Sequence, residues 1–153
     1  MARFELIYIG ETKFKELKNL EEKYLQKLNF FVKFTTKTIK DIKIKDEKQM
    51  LAQLGKKILQ GIDKSDFVVL LDRKGKSFDS KEFSSQINQF IQNNKKTVFI
   101  IGNHIGVSEE VKKRANAIIS FSKMTISHDI FKVLFLEQLY RAFTIIKGIK
   151  YHR

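Results

Sequence analysis

Phe67-Val68-Val69-Leu70-Leu71 is followed directly by Asp72-Arg73-Lys74-Gly75-Lys76-Ser77, so a run of five apolar residues breaks into a polar stretch that contains a glycine. An apolar run without alternation leaves no face for water, which marks a strand buried on both sides in a parallel sheet. The polar stretch predicts a loop at that strand's carboxyl end. Asp79 and Glu82 then stand at capping-box spacing and open a helix whose inner face is Phe83, Ile87, Phe90 and Ile91. Thr97 to Ile101 repeats the buried-strand pattern and ends at Gly102.

Working outward, Phe4 to Ile9 reads as a strand, and Phe14, Leu17, Leu20, Tyr24, Leu25 and Leu28 trace one face of a helix. In Lys33 to Lys45, Thr35, Thr36, Thr38 and Ile39 favour a strand while the lysines keep one side wet. A second helix is expected from about Glu47 to Ile62, a short one capped by Ser108, and a strand over Ala117 to Phe121. Strands that alternate with helices predict an α/β fold, a mostly parallel sheet flanked by helices. No repeat or linker divides the chain, so residues 1–153 are expected to form a single domain.

Composition narrows the function. Thirty Lys and Arg against 17 Asp and Glu leave a net charge of +13, which attracts polyanions through phosphate neutralisation. A lysine-rich composition alone also produces such an excess, and charge does not separate an RNA-binding protein from one that reacts with RNA. Cysteine is absent, which excludes disulfides and thiolate metal sites and agrees with a reducing, cytoplasmic setting. No apolar run is long enough to cross a bilayer, so no membrane association is expected. Met1 to Gly10 carries Arg3 and Glu5 and reads as a strand rather than a signal peptide. His104, His128 and His152 lie far apart and show no metal-ligand spacing, so no metal is expected.

The last helix, about Asp129 to Lys147, is apolar around nearly its whole circumference. A helix outside a sheet hides only part of its surface against its own subunit, which predicts a homodimer; the alternative is a helix central to a monomer. Ligands of open α/β sheets gather at the carboxyl ends of strands, so the loops Asp72–Ser77, Gly102–Val107 and Ser122–His128 are expected to converge on one ligand. Gly102-Asn103-His104-Ile105-Gly106 matches neither a dinucleotide fingerprint nor a P-loop. Glu109 and Glu110 would repel a phosphate at the helix that follows. A ligand without phosphates and with positive charge fits better, as S-adenosylmethionine does.

Ser120-Phe121-Ser122-Lys123-Met124-Thr125-Ile126-Ser127-His128, then Leu136-Glu137-Gln138-Leu139-Tyr140-Arg141-Ala142-Phe143 and the terminal Tyr151-His152-Arg153 resemble the ribosomal RNA large-subunit methyltransferase H family, of the SPOUT class. The resemblance runs the full length and includes Leu71-Asp72, Gly75-Lys76 and Ile101-Gly102. It implies an enzyme that uses S-adenosylmethionine to methylate N3 of a pseudouridine in large-subunit ribosomal RNA, as a homodimer on the assembled ribosome. It also implies a C-terminal trefoil knot, an exception to the unknotted-chain rule. Its cofactor site would comprise Leu71, Asp72, Gly102, Asn103, Ser122, Lys123, Met124, Thr125, Ile126 and Ser127. Three positions depart from the family pattern: Asn103 for a second glycine, Ser127 for a proline and Lys132 for an arginine. Asn tolerates positive φ, Ser127 can cap the helix, and Lys132 keeps charge but no bidentate grip.

An imide N3–H is a poor nucleophile until its proton leaves, so a base or a field that favours the anion should help. His128, His152, Arg141 and Arg153 are the candidates, with Tyr151 to stack on a base. Structural explanations compete: helix capping for His128, and an i,i+4 pair with Glu137 for Arg141. The rival reading from another class is a non-catalytic basic ribosome- or RNA-binding factor with the same fold. A Rossmann-type oxidoreductase is disfavoured by the missing fingerprint.

Overall fold

The apolar runs meet in one five-stranded sheet. The computed structural model describes residues 1–153, in the order β1 (Arg3–Ile9), α1 (Lys15–Leu28), β2 (Lys33–Ile39), α2 (Glu47–Leu59), β3 (Phe67–Ser77), α3 (Ser80–Asn93), β4 (Lys96–Ile101), α4 (Glu109–Arg114), β5 (Ala117–Ser120) and α5 (His128–Ile146). All neighbouring strands are parallel, in the order β2-β1-β4-β3-β5. After β2 the chain crosses to β3, returns to β4 beside β1, and leaves again to β5 at the outer edge.

Side chains alternate across the sheet with period two, and each face has its own core. Phe4, Leu6, Val69, Leu71, Phe99, Ile101 and Ile119 point to the face covered by α1, α3 and α5. Ile7, Ile9, Val68, Leu70, Val98 and Ile100 point to the other, under Met50, Leu54 and Ile58 of α2 and Val111 of α4. Burial on both faces is why β3 and β4 read as unbroken apolar runs. The helix starts are anchored as the sequence predicts. Asp79 and Glu82 form a reciprocal capping box, Asp46 caps α2 by accepting from Gln49 N, and Ser108 caps α4.

Three expectations change. β2 ends at Ile39, after which Ile42 and Ile44 turn inward onto the second core. The run after Leu71 is not a simple loop, because β3 continues to Ser77. Leu71 and Lys76 both face Ile119, so Asp72–Gly75 bow outward before the chain returns to pair Ser77 with Ser120. Gly75 allows that return, since a Cβ there would lie 2.6 Å from both the carbonyl carbon and the oxygen of Ile118. The third change concerns α5. It packs against α3 and α1 as well as the sheet, so Phe135, Leu136, Leu139, Ala142 and Phe143 are buried within one protomer. The circumference of α5 is therefore largely covered without a partner, and its apolar sequence does not by itself require a dimer. Ile130 remains 53% exposed on its first turn.

Candidate functional site

Beyond the carboxyl ends of β3, β4 and β5, the bowed Asp72–Lys74, the turn Gly102–Val107 and the loop Ser122–His128 border a single cavity of about 700 Å³. That is the size range of small-molecule sites. Leu71, Asp72, Gly102, Asn103, Ser122, Met124, Thr125, Ile126 and Ser127 line it, and so does His128. Lys123 does not border it, although both of its neighbours in sequence do.

Each loop is held locally. Asp72 accepts from Lys74 N at 2.8 Å, which tightens the bow. Asn103 N donates to Gly106 O and Gly106 N returns a bond to Asn103 O, closing a tight turn, while Asn103 Oδ1 accepts from Ile105 N at 3.0 Å. The positive φ of this turn, +102°, falls on Gly106, and no residue other than glycine has positive φ. Asn103 thus needs no left-handed backbone; its side chain builds the turn instead. A Cβ on Gly102 would strike the Gly106 carbonyl oxygen, so only glycine lets the turn fold back this closely. In the third loop, Ser120 Oγ donates to Ser122 O and Ser122 Oγ accepts from Met124 N. Phe121 and Phe131 meet edge to face at 5.7 Å and close the base of that loop.

His128 is the first residue of α5, after Ser127 at the N-cap, whose side chain makes no capping bond. The helix-capping explanation for His128 therefore has no bond behind it. Burial, reinforced by the nearby Lys132 ammonium, holds its imidazole below the ordinary value of 6.5, so the ring is neutral at pH 7. His128 Nε2 and Asn103 Nδ2 are buried without a protein partner. Two unpartnered polar atoms in one cavity lining are what a site completed by a polar ligand leaves behind.

The tail residues gather elsewhere. Arg141 grips Glu137 Oε1 through Nε at 3.1 Å and Nη2 at 2.6 Å, which realises the i,i+4 pair anticipated for it. Tyr151 donates its hydroxyl to the same oxygen at 3.0 Å, its ring lies 4.8 Å from the guanidinium, and His152 Nδ1 is 3.3 Å from Arg141 Nη1. Burial, with hydrogen bonds to Tyr24 and Glu137, pushes the Tyr151 phenol well above its ordinary value, so it stays protonated. The tail is docked on α5 rather than frayed, and none of Arg141, Tyr151, His152 and Arg153 borders the cavity of its own protomer.

His104, Ile105, Lys112, Phe121 and Phe131 also line the cavity and were not singled out as site residues from sequence. Lys112 had a faint signal: it lies on the helix that follows the glycine turn, one turn beyond the Ser108 cap. No cluster of three or more His, Cys, Asp and Glu side chains comes together to hold a metal ion. No helix is long and apolar enough to cross a membrane.

The family model described as "Predicted SPOUT methyltransferase" matches residues 2–152. A protein of Christiangramia forsetii named ribosomal RNA large subunit methyltransferase H is 46% identical over 152 residues, 97% of either chain. Its namesake in Caldicellulosiruptor saccharolyticus is 37% identical, over 97% of this chain and 99% of that one. Among solved structures, the tRNA (m1G37) methyltransferase of Aquifex aeolicus superposes with a TM-score of 0.54 at 14% identity, over 92% of this chain and 69% of that one. A probable methylase family protein of Haemophilus influenzae reaches 0.59 at 10% identity, over 95% and 66%. These two show a shared fold. With strands, turns and cavity arranged as described, the chain belongs to the SPOUT methyltransferase family, among the ribosomal RNA large subunit methyltransferase H proteins.

Proposed function

We propose that the chain methylates N3 of a pseudouridine in large-subunit ribosomal RNA, taking the methyl group from S-adenosylmethionine and acting as a homodimer on the assembled ribosome in the cytoplasm. The observation that carries this reading is the convergence of three separate strand-end loops on one cavity in a chain with these relatives. A net charge of +13 supports a polyanionic substrate.

The cavity suits the donor. Leu71, Met124 and Ile126 offer apolar walls for an adenosine, the turns around Gly102 and Ser122–Ser127 present backbone donors and acceptors, and Asn103 and His128 hold unpartnered polar atoms. When bound, S-adenosylmethionine supplies a methyl carbon made electrophilic by its sulfonium. The protein must then align the acceptor nitrogen with that carbon and favour loss of its proton. His128, neutral and at the cavity, is placed to hydrogen-bond or accept a proton. The Arg141, Tyr151 and His152 cluster does not border the cavity of its own protomer. In a homodimer it would face the neighbour's, where Arg141 and Arg153 stabilise the imide anion and Tyr151 or His152 contacts the base.

The test incubates the protein and radiolabelled S-adenosylmethionine with ribosomes that contain or lack pseudouridine, then maps the labelled base by mass spectrometry. One labelled pseudouridine in large-subunit RNA is expected, with no label in the unmodified ribosomes. Ribosome binding with neither donor binding nor label would instead establish a non-catalytic factor.

A further inference from the structure

Directly behind the first turn of α5 lies a charge that the methyl-transfer reading leaves unused. Lys132 is fully buried, and its Nζ donates to Thr12 Oγ1 at 2.8 Å, stands 3.9 Å from Glu21 Oε2 and sits 3.4 Å from the centre of the Tyr8 ring. Thr12 passes the bond on, donating its hydroxyl to Glu21 Oε2 at 2.7 Å. A buried ammonium is costly unless paired and hydrogen-bonded, and here a hydroxyl, a carboxylate and an aromatic face share that task. One turn earlier, Asp129 Oδ2 accepts from Lys13 N at 3.0 Å. The strand end at Tyr8, the connection carrying Thr12 and Lys13, and Glu21 of α1 are thus all tied to the start of α5, more than a hundred residues away in sequence. His128 and the end of the Ser122–Ser127 loop emerge from that same turn into the cavity.

We propose that Lys132 is a positioning residue for methyl transfer: caged by Thr12, Glu21 and Tyr8, it pins the first turn of α5 to the β1–α1 connection and so fixes where His128 and the Ser127 end of the third loop stand in the cavity. The inference rests on the cavity being the methyl-donor site. A side chain that needs three partners in fixed directions holds the turn against both rotation and translation. An apolar residue of similar length would fill the space without fixing the direction. Misplacing reacting groups by about an ångström suffices to slow a transfer by about a hundredfold.

Charge provides a readout independent of catalysis. The groups that act on His128 are Lys132 and Asp129 on α5, Asp41 in the β2–α2 connection and Glu21 on α1; only Lys132 among them is cationic. Removing its charge therefore raises the pH at which His128 titrates.

The full-length variants Lys132→Arg, Lys132→Met and the double variant Lys132→Met/Glu21→Gln test this. The double variant removes both buried charges together, so that folding survives if the single substitution strands Glu21. Melting temperature, the NMR titration of the His128 ring, and kcat and KM for S-adenosylmethionine are measured for each. The charge-free variants are expected to melt cooperatively, to lower kcat/KM by about tenfold or more, and to move the His128 titration to higher pH; Lys132→Arg is expected to restore most of the rate. Folded charge-free variants with wild-type kinetics and an unmoved His128 titration would overturn the tether. If the wild-type protein fails to bind S-adenosylmethionine, it is the donor-site reading that fails, while the His128 titration still reports on the tether.

Discussion

Deleting Tyr151–Arg153 is expected to leave a folded dimer that has lost methyl transfer by about a hundredfold or more, the scale of losing groups that act only in the transition state. The core side of α5 is filled by Phe135, Leu136, Leu139 and Phe143, which belong to the cluster shared with the sheet, α1 and α3. Glu137 keeps its two bonds from Arg141 when the Tyr151 hydroxyl is gone. Because the tail does not border the candidate site of its own protomer, a site shared between protomers requires the loss to be repairable in trans. Mixing the tail-deleted protein with Gly102→Ala protein, in which the new methyl group strikes the Gly106 carbonyl, places one intact cavity beside one intact tail in each mixed dimer. Random pairing of two-fold dimers makes half of them mixed, each with one working site of two, so activity should return to about a quarter of wild type. Circular dichroism, sizing and the labelled-ribosome assay read the outcome. Full activity of the truncated protein, or no recovery on mixing, would refute the shared site.

The second large effect is on the fold. Gly75→Ala is expected to cost on the order of 3 kcal/mol, as overpacking does, and to lower the melting temperature by roughly 6–12 °C for a chain of this length. The reason is what the new Cβ meets: Ile118 C and O at 2.6 Å and Ile119 N at 2.7 Å, all backbone of a strand fixed by pairing on β3. Gly61→Ala is the control. Its Cβ would also find an atom at 2.6 Å, but that atom is the free end of Lys37, which swings away. That substitution should be neutral or slightly stabilising. Equal melting temperatures for the two variants would contradict the account of Gly75 returning closely against the β5 backbone.

The contrast between these glycines marks what the sequence can and cannot convey. The two-sided burial of Phe67–Leu71 and Thr97–Ile101 is legible because it is written in consecutive residues, as is the capping box of Asp79 and Glu82. Convergence of the three loops follows from a general rule about strand ends, and the cavity lies where that rule places it. The bow at Asp72–Gly75 is not legible, because it depends on Lys76 and Ser77 returning to β5 more than forty residues later. The cover of α5 is not legible for a related reason: an apolar circumference says that a helix is surrounded, not by what, and α1 and α3 cover much of it within one protomer. Asn103 illustrates the limit at a single residue. Its tolerance of positive φ suggested one role, while the turn assigns that φ to Gly106 and uses the Asn103 side chain as an acceptor. Lys132 reads in sequence as a loss of bidentate grip. Its buried cage depends on Tyr8, Thr12 and Glu21, which no local pattern connects to it.

A crystal structure of the protein with S-adenosylmethionine tests the central claim most directly. The account predicts the donor in the cavity between Leu71, Gly102 and Ile126, its adenosine against the apolar walls and its sulfonium methyl open toward the partner's Tyr151–Arg153 tail. A donor bound at another surface, or a cavity that stays empty at saturating donor while the three loops spread apart, would contradict it.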